Sequence, residues 1–163
     1  MVVVKFKTKE FYEKNLYCNE DALENVIHYV MLNYKTPHKI IGATGASFEN
    51  EKLAIKHFQM VKDFYRNQKG KKVIHFCVSF ERKGFLPLHE YIHVGYLIAD
   101  NFFENHQVLF VLHEDTNKDH IHFVVNTVDY QTGKKLRWHK GDRFKLQKYI
   151  ESFTHKIIKN MGK

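Results

Sequence analysis

The run QVLFVLHEDTNKDHIHFVVNTV, from Gln107 to Val128, decides how the chain is read. Its apolar first half ends at His113, a polar stretch from Glu114 to Asp119 follows, and an apolar run returns from His120. Two β-prone runs around a short turn-forming segment spell a hairpin. Side chains alternate along a strand, so His120, His122, Val124 and Asn126 share one face of the returning strand while Ile121, Phe123 and Val125 take the other. An antiparallel partner ending in His113 sets a third imidazole opposite the first two. Three imidazoles can meet one divalent ion at about 2 Å each, and a fourth, open position makes such a site catalytic rather than structural.

The competing reading is a half-buried sheet on which histidines happen to fall, in a chain that has twelve. The spacing HxDxxxxHxHxxxN, with Asp115 between the first two ligands and Asn126 downstream, favours the metal. Asp115 is placed to orient a ligand from outside the coordination sphere. Both Asp115 and Asp119 also read as turn residues.

Upstream, DALENVIHYVMLNY begins with Asp21 and Glu24 in a capping-box-like relation and aligns Leu23, Val26, Ile27, Val30, Met31 and Tyr34 on one stripe of a helix. Tyr34 therefore reads as a packed core aromatic. Tyr29 lies on a different face and is free to reach a site. In the strand VIHFCVSF, Ile74, Phe76, Val78 and Phe80 form an apolar face, and Val73, His75, Cys77 and Ser79 the mixed one. His75 can thus share the open face of the sheet with the three histidines.

Composition sets the outer bounds. The 163 residues, 44% hydrophobic and 15% aromatic, suit one folded domain spanning 1–163. No apolar stretch approaches the roughly 20 residues of a membrane span, and MVVVKFKTKEF lacks the order of a secretory signal, so a cytoplasmic protein without membrane insertion is expected. Cys18 and Cys77 read as reduced thiols. A net charge of +8 and a pI near 9.3 favour a polyanionic partner. The basic residues concentrate after the hairpin, where Lys134, Lys135, Arg137 and Trp138 form a cluster suited to phosphate contact and base stacking. The same stretch, DYQTGKK, also reads as the solvated tip of a turn.

The coarse order is a strand near Val2 to Lys7, a helix near Asp21 to Tyr34, a loop through TPHKIIGATGAS, and a helix near Glu49 to Gln68. The strand Lys72 to Phe80, a helix near Leu88 to Phe103 after Pro87, the hairpin, and a helix near Asp142 to Asn160 follow. This order predicts an α+β fold, a central antiparallel sheet with helices packed on its apolar face in a two-layer sandwich.

The histidine run resembles motif III of the relaxases, HUH endonucleases that start conjugative transfer, and is most similar to the MobP/VirD2-type group. KKVIHFCVSF, the helix after it, the hairpin through KKLRW, and the N-terminal IHYVMLNYKT fall in that family's order. The resemblance implies the same α+β architecture. It implies nicking of one DNA strand at an origin of transfer, with Mn²⁺ or Mg²⁺ on His113, His120 and His122 and a 5′-phosphotyrosyl product. The family's tyrosine precedes a Lys-Thr pair, which matches Tyr29 before Lys35 and Thr36. Asp115 and His75 are candidates for the base that such a nucleophile needs, with Asn126 and Tyr34 as further support.

Implied partners are single-stranded or locally melted DNA, accessory DNA-binding proteins and a type IV secretion coupling protein. Relaxases usually carry further domains, so the resemblance implies either the nuclease portion of a longer protein or a small member. Three alternatives share parts of this pattern: an HUH-type rolling-circle replication initiator, a non-enzymatic metal-containing single-strand-binding module, and a histidine-metal hydrolase without a tyrosine.

Overall fold

The hairpin forms the middle of the sheet. In the computed structural model, which describes residues 2–6 and 17–161, strands β4 (His106–His113) and β5 (His120–Asp129) pair antiparallel, with His113 opposite His120 and Val111 opposite His122. Strand β3 (Val73–Ser79) flanks β5, β1 (Val3–Phe6) flanks β3, and β2 (Ile41–Thr44) flanks β4. The order is β1-β3-β5-β4-β2, antiparallel throughout. Lys7, the expected end of the first strand, lies outside the described residues.

Alternation gives the sheet two apolar faces. On one, Phe76, Phe110, Phe123 and Val125 are covered by Tyr91, Val94 and Ile98 of α3 (Leu88–Phe102) and by Leu146 and Ile150 of α4 (Lys140–Met161). Each such side chain, fully buried, contributes about 1.5–3 kcal/mol from transfer alone. This is the expected α+β arrangement of antiparallel sheet and covering helices. A second pair of helices packs on the opposite face. There α1 (Ala22–Val30) and α2 (Glu51–Phe64) bury Val73, Leu109, Val111 and Val124 under Leu23, Ile27, Val30 and Phe58. Asn50 caps α2 by accepting from the Leu53 N–H at 2.9 Å. Along β4 and β5 the histidines follow on this second face, His113 two residues beyond Val111 and His122 two before Val124.

Two expectations are corrected. Helix α1 ends at Val30, not near Tyr34, and Asn33–Lys35 form a short 3₁₀ turn in which Tyr34 is 69% exposed rather than packed. The cause is local. In a continuing helix the Val30 carbonyl would accept from the Tyr34 N–H, but it is bonded instead to His113 Nε2 at 2.8 Å. The second correction is β2, which lies inside the segment read as a loop. A four-residue strand containing Gly42 gives no readable period, yet the glycine is required: a Cβ there would stand 2.3 Å from the Phe110 ring. Among the described residues, no helix is long and apolar enough to cross a membrane.

Candidate metal centre

Register brings the three histidines together. His113 and His120 are directly opposed across the hairpin, and His122 is two residues further along the same face of β5. One ligand atom from each lies within 4.8 Å of the other two. The His113 and His122 rings are 4.1 Å apart between centroids.

Hydrogen bonds fix which nitrogen of each ring can ligate. His113 donates through Nε2 to the Val30 carbonyl. Its Nδ1 is buried with no partner among the described residues. Burial also pushes the His113 imidazole down to about 4, with the His120 charge adding to the effect, so the ring is neutral at physiological pH. A neutral imidazole with an unsatisfied buried lone pair is what a divalent cation requires. His120 donates through Nδ1 to the Lys118 carbonyl at 3.0 Å, so Nε2 is the atom it could offer to an ion. His122 Nδ1 lies 2.8 Å from His75 Nε2, and His75 Nδ1 lies 3.0 Å from the Tyr17 hydroxyl. With Nε2 of His122 on an ion, its Nδ1 donates to His75, and His75 Nδ1 donates to Tyr17. Three imidazoles so oriented fit the divalent ion the sequence implied.

Tyr29, on α1, stands over this group. Its ring centroid is 5.8 Å from those of His113 and His122 and 6.1 Å from that of His75, all edge-on. Lys35 Nζ is 5.1 Å from the Tyr29 ring and donates to Asp115 Oδ2 at 2.7 Å. The other Asp115 oxygen is 3.9 Å from His120 Nε2. Burial raises the Asp115 carboxyl, but the hydrogen bond and charge of Lys35 outweigh that and hold it below its ordinary value. The Lys35 segment is also clamped through the backbone, its carbonyl accepting from the Glu114 N–H at 2.7 Å.

The other sequence candidates lie apart. Tyr34 points outward, with Lys35 Nζ 5.0 Å from its ring. Asn126 is fully buried and bonded to Lys62 Nζ at 2.7 Å, Gln107 Oε1 at 2.7 Å and the Phe58 carbonyl at 3.1 Å. It belongs to a polar network under α2. Of the basic cluster, Lys134 and Arg137 are exposed, whereas Lys135 turns inward to the Lys71 carbonyl and Thr127 Oγ1, each at 3.0 Å. Trp138 stacks one face on Phe103 at 5.1 Å. Sequence reasoning missed Tyr17 and Lys62, which carry no motif, and took Lys35 only as part of a Lys-Thr pair.

The family model for the nuclease domain of MobA/VirD2-like relaxases matches residues 17–157. Two curated proteins, both named "Protein rlx" and both from Staphylococcus aureus, are similar over shorter stretches. One is 29% identical over 91 residues, 56% of this chain and 29% of that protein. The other is 40% identical over 47 residues, 29% of this chain and 14% of that protein. The matched segments thus span less than a third of either relative's length. No solved structure matches the chain.

Proposed function

The chain belongs to the MobA/VirD2-like relaxase nuclease family, and from that premise we propose that it nicks one DNA strand at an origin of transfer by metal-assisted transesterification, with Tyr29 as nucleophile. The observation that carries this reading is the position of the Tyr29 ring, 5.8 Å from two of the three histidines and beside the Lys35 ammonium. A phenol oxygen attacks a phosphate more readily where positive charge stands beside both.

In the proposed reaction the Tyr29 hydroxyl oxygen bonds to the scissile phosphorus as the bond to the 3′ oxygen breaks. The phenol loses one proton to solvent, and the departing oxygen takes one up to become a 3′-hydroxyl. One phosphodiester replaces another, so the reverse reaction rejoins a strand. Mn²⁺ or Mg²⁺ held by His113, His120 and His122 would supply Lewis-acid polarisation of the phosphate. Lys35 brings a second cation to the same place. Asp115, held ionised by Lys35, is a poor proton acceptor, and we assign it to orienting Lys35 and His120. His75 and Tyr17 hold the His122 ring. Exposed Lys134 and Arg137 offer phosphate contacts. Accessory DNA-binding proteins, a secretion coupling protein and a cytoplasmic site of action complete the proposal, on the family resemblance.

The test is incubation with Mn²⁺ and labelled single-stranded DNA from the candidate origin, then denaturing electrophoresis and mass mapping. A covalent adduct on Tyr29, lost with chelator, is expected. Cut ends without an adduct would make the site a hydrolase. An adduct on another tyrosine would overturn the assignment of Tyr29. Dependence of plasmid copy number on the protein would point to replication instead.

A further inference from the structure

A groove of about 430 Å³ opens beside β3, away from the three histidines but joined to them through His75. Val73 to His75 of β3 border the cleft on one side, and the chain after the hairpin, Leu136 to His139, borders it on the other. The apolar lining comes from Ile74, Leu136 and Trp138. The rim is cationic, with Lys69 and Lys71 on the β3 side and Arg137 opposite. No carboxylate is among the described lining residues.

We propose that this groove binds one unpaired nucleotide of the cleaved strand, its base against Leu136 and Trp138 and its flanking phosphates on Lys69, Lys71 and Arg137. The volume falls within the range of small-molecule sites. An apolar slot with cations on both lips suits a flat base on a charged backbone, whereas paired bases present no free face to such a slot. Trp138 has one face committed to Phe103, which leaves the indole a fixed wall rather than a mobile clamp. At the inner end His75 and Tyr17 line the groove, and His75 is hydrogen-bonded to the ligand His122. A strand seated here is thereby led toward the metal centre. The inference rests on the nicking reading above and adds Lys69 and Lys71, from a separate segment of chain, to the residues that hold the strand.

Trp138 is the only tryptophan, so its emission reports on this groove alone. The full chain carrying Tyr29→Phe is titrated with an oligothymidylate of about six nucleotides in the presence of chelator, which separates binding from nicking. Emission is expected to change on binding. The double variant Lys69→Glu, Arg137→Glu, altered at two exposed positions, should lose affinity at least about tenfold and about two units of the salt slope. Binding seen by anisotropy with Trp138 emission and the double variant unaffected would put the strand elsewhere and overturn the groove, while leaving the Tyr29 adduct test untouched. Equal affinity for duplex DNA or inorganic phosphate would overturn the recognition of an unpaired base. Absence of any binding would do the same, even if a Tyr29 adduct forms.

Discussion

Nε2 of His113 lies 2.8 Å from the carbonyl oxygen of Val30, the residue directly after Tyr29. One hydrogen bond therefore ties a ring of the histidine triad to the helix that carries the proposed nucleophile. The same bond selects the His113 tautomer and stops α1. His113→Ala should remove a ligand and strand a buried carbonyl, at about 1–3 kcal/mol. Metal affinity, read by competition with a chromophoric chelator, should fall by more than the roughly 10–100-fold that loss of an outer partner costs. His75→Ala is expected within that smaller range. Unchanged affinity in His113→Ala would remove the metal centre from the account.

Tyr29→Phe keeps the ring and deletes the attacking oxygen. It should abolish the covalent adduct while metal and single-strand affinities stay within about twofold of wild type. Tyr34→Phe, at an outward position, should leave adduct formation intact. Adduct from the Tyr29 variant would disprove its assignment.

The Lys35–Asp115 pair, at 12% and 19% side-chain exposure, is largely shielded from water, so removing one partner should cost on the order of 1–3 kcal/mol of stability. It should also slow the reaction. Asp115→Asn is expected to slow nicking about tenfold by releasing Lys35 and His120, with substrate affinity nearly unchanged. Because the Asp115 carboxyl is depressed in the fold, its stabilising contribution is present above the ordinary carboxylate pKa and is lost as pH falls through the lower folded value. A large melting shift with normal nicking would mark the pair as structural.

Lys62 is buried against Asn126 and the Lys72 carbonyl. Burial, with the charges of Lys135 and Lys72, pushes its ammonium from 10.5 down to about 7. The unfolded chain therefore binds the extra proton between these values, and wild-type stability should rise with pH across that window. Lys62→Met lacks the term. The difference in unfolding free energy, wild type minus variant, should grow by up to about 4 kcal/mol from neutral pH to about 10 in urea denaturation. A flat difference would mean that Lys62 stays charged in the fold.

Gly95 lets α3 approach the sheet, since a Cβ there would stand 2.2 Å from the Phe110 ring. Gly95→Ala should destabilise by roughly 1–3 kcal/mol through overpacking. Adding Phe110→Leu should recover part of that loss in a double-variant cycle. Strict additivity of the two losses would show that they do not meet through this contact.

The strands were legible where a period of two ran over many residues. β3, β4 and β5 fall close to their expected bounds because Ile74, Phe76 and Val78, or Ile121, Phe123 and Val125, had to leave water together. β2 was not legible, since its strand character comes from pairing with β4 and from the room Gly42 leaves for Phe110. The end of α1 was misread for a related reason. Tyr34 continues the apolar spacing, but a side chain 83 positions distant takes the carbonyl that would have carried the helix on. Asn126 shares a strand face with His120 and His122, as read, yet a lysine from α2 claims it for the core.

The sequence by itself determined the hairpin, the histidine trio and the family, because each depends on spacing within one continuous segment. Only the tertiary structure decided which nitrogen of His113 is bare, that Lys35 stands between Tyr29 and Asp115, that Tyr17 reaches His75, and that Lys62 is stripped of water. Those outcomes are set by distances between elements far apart in the chain, and hydrogen bonding and desolvation act through such distances.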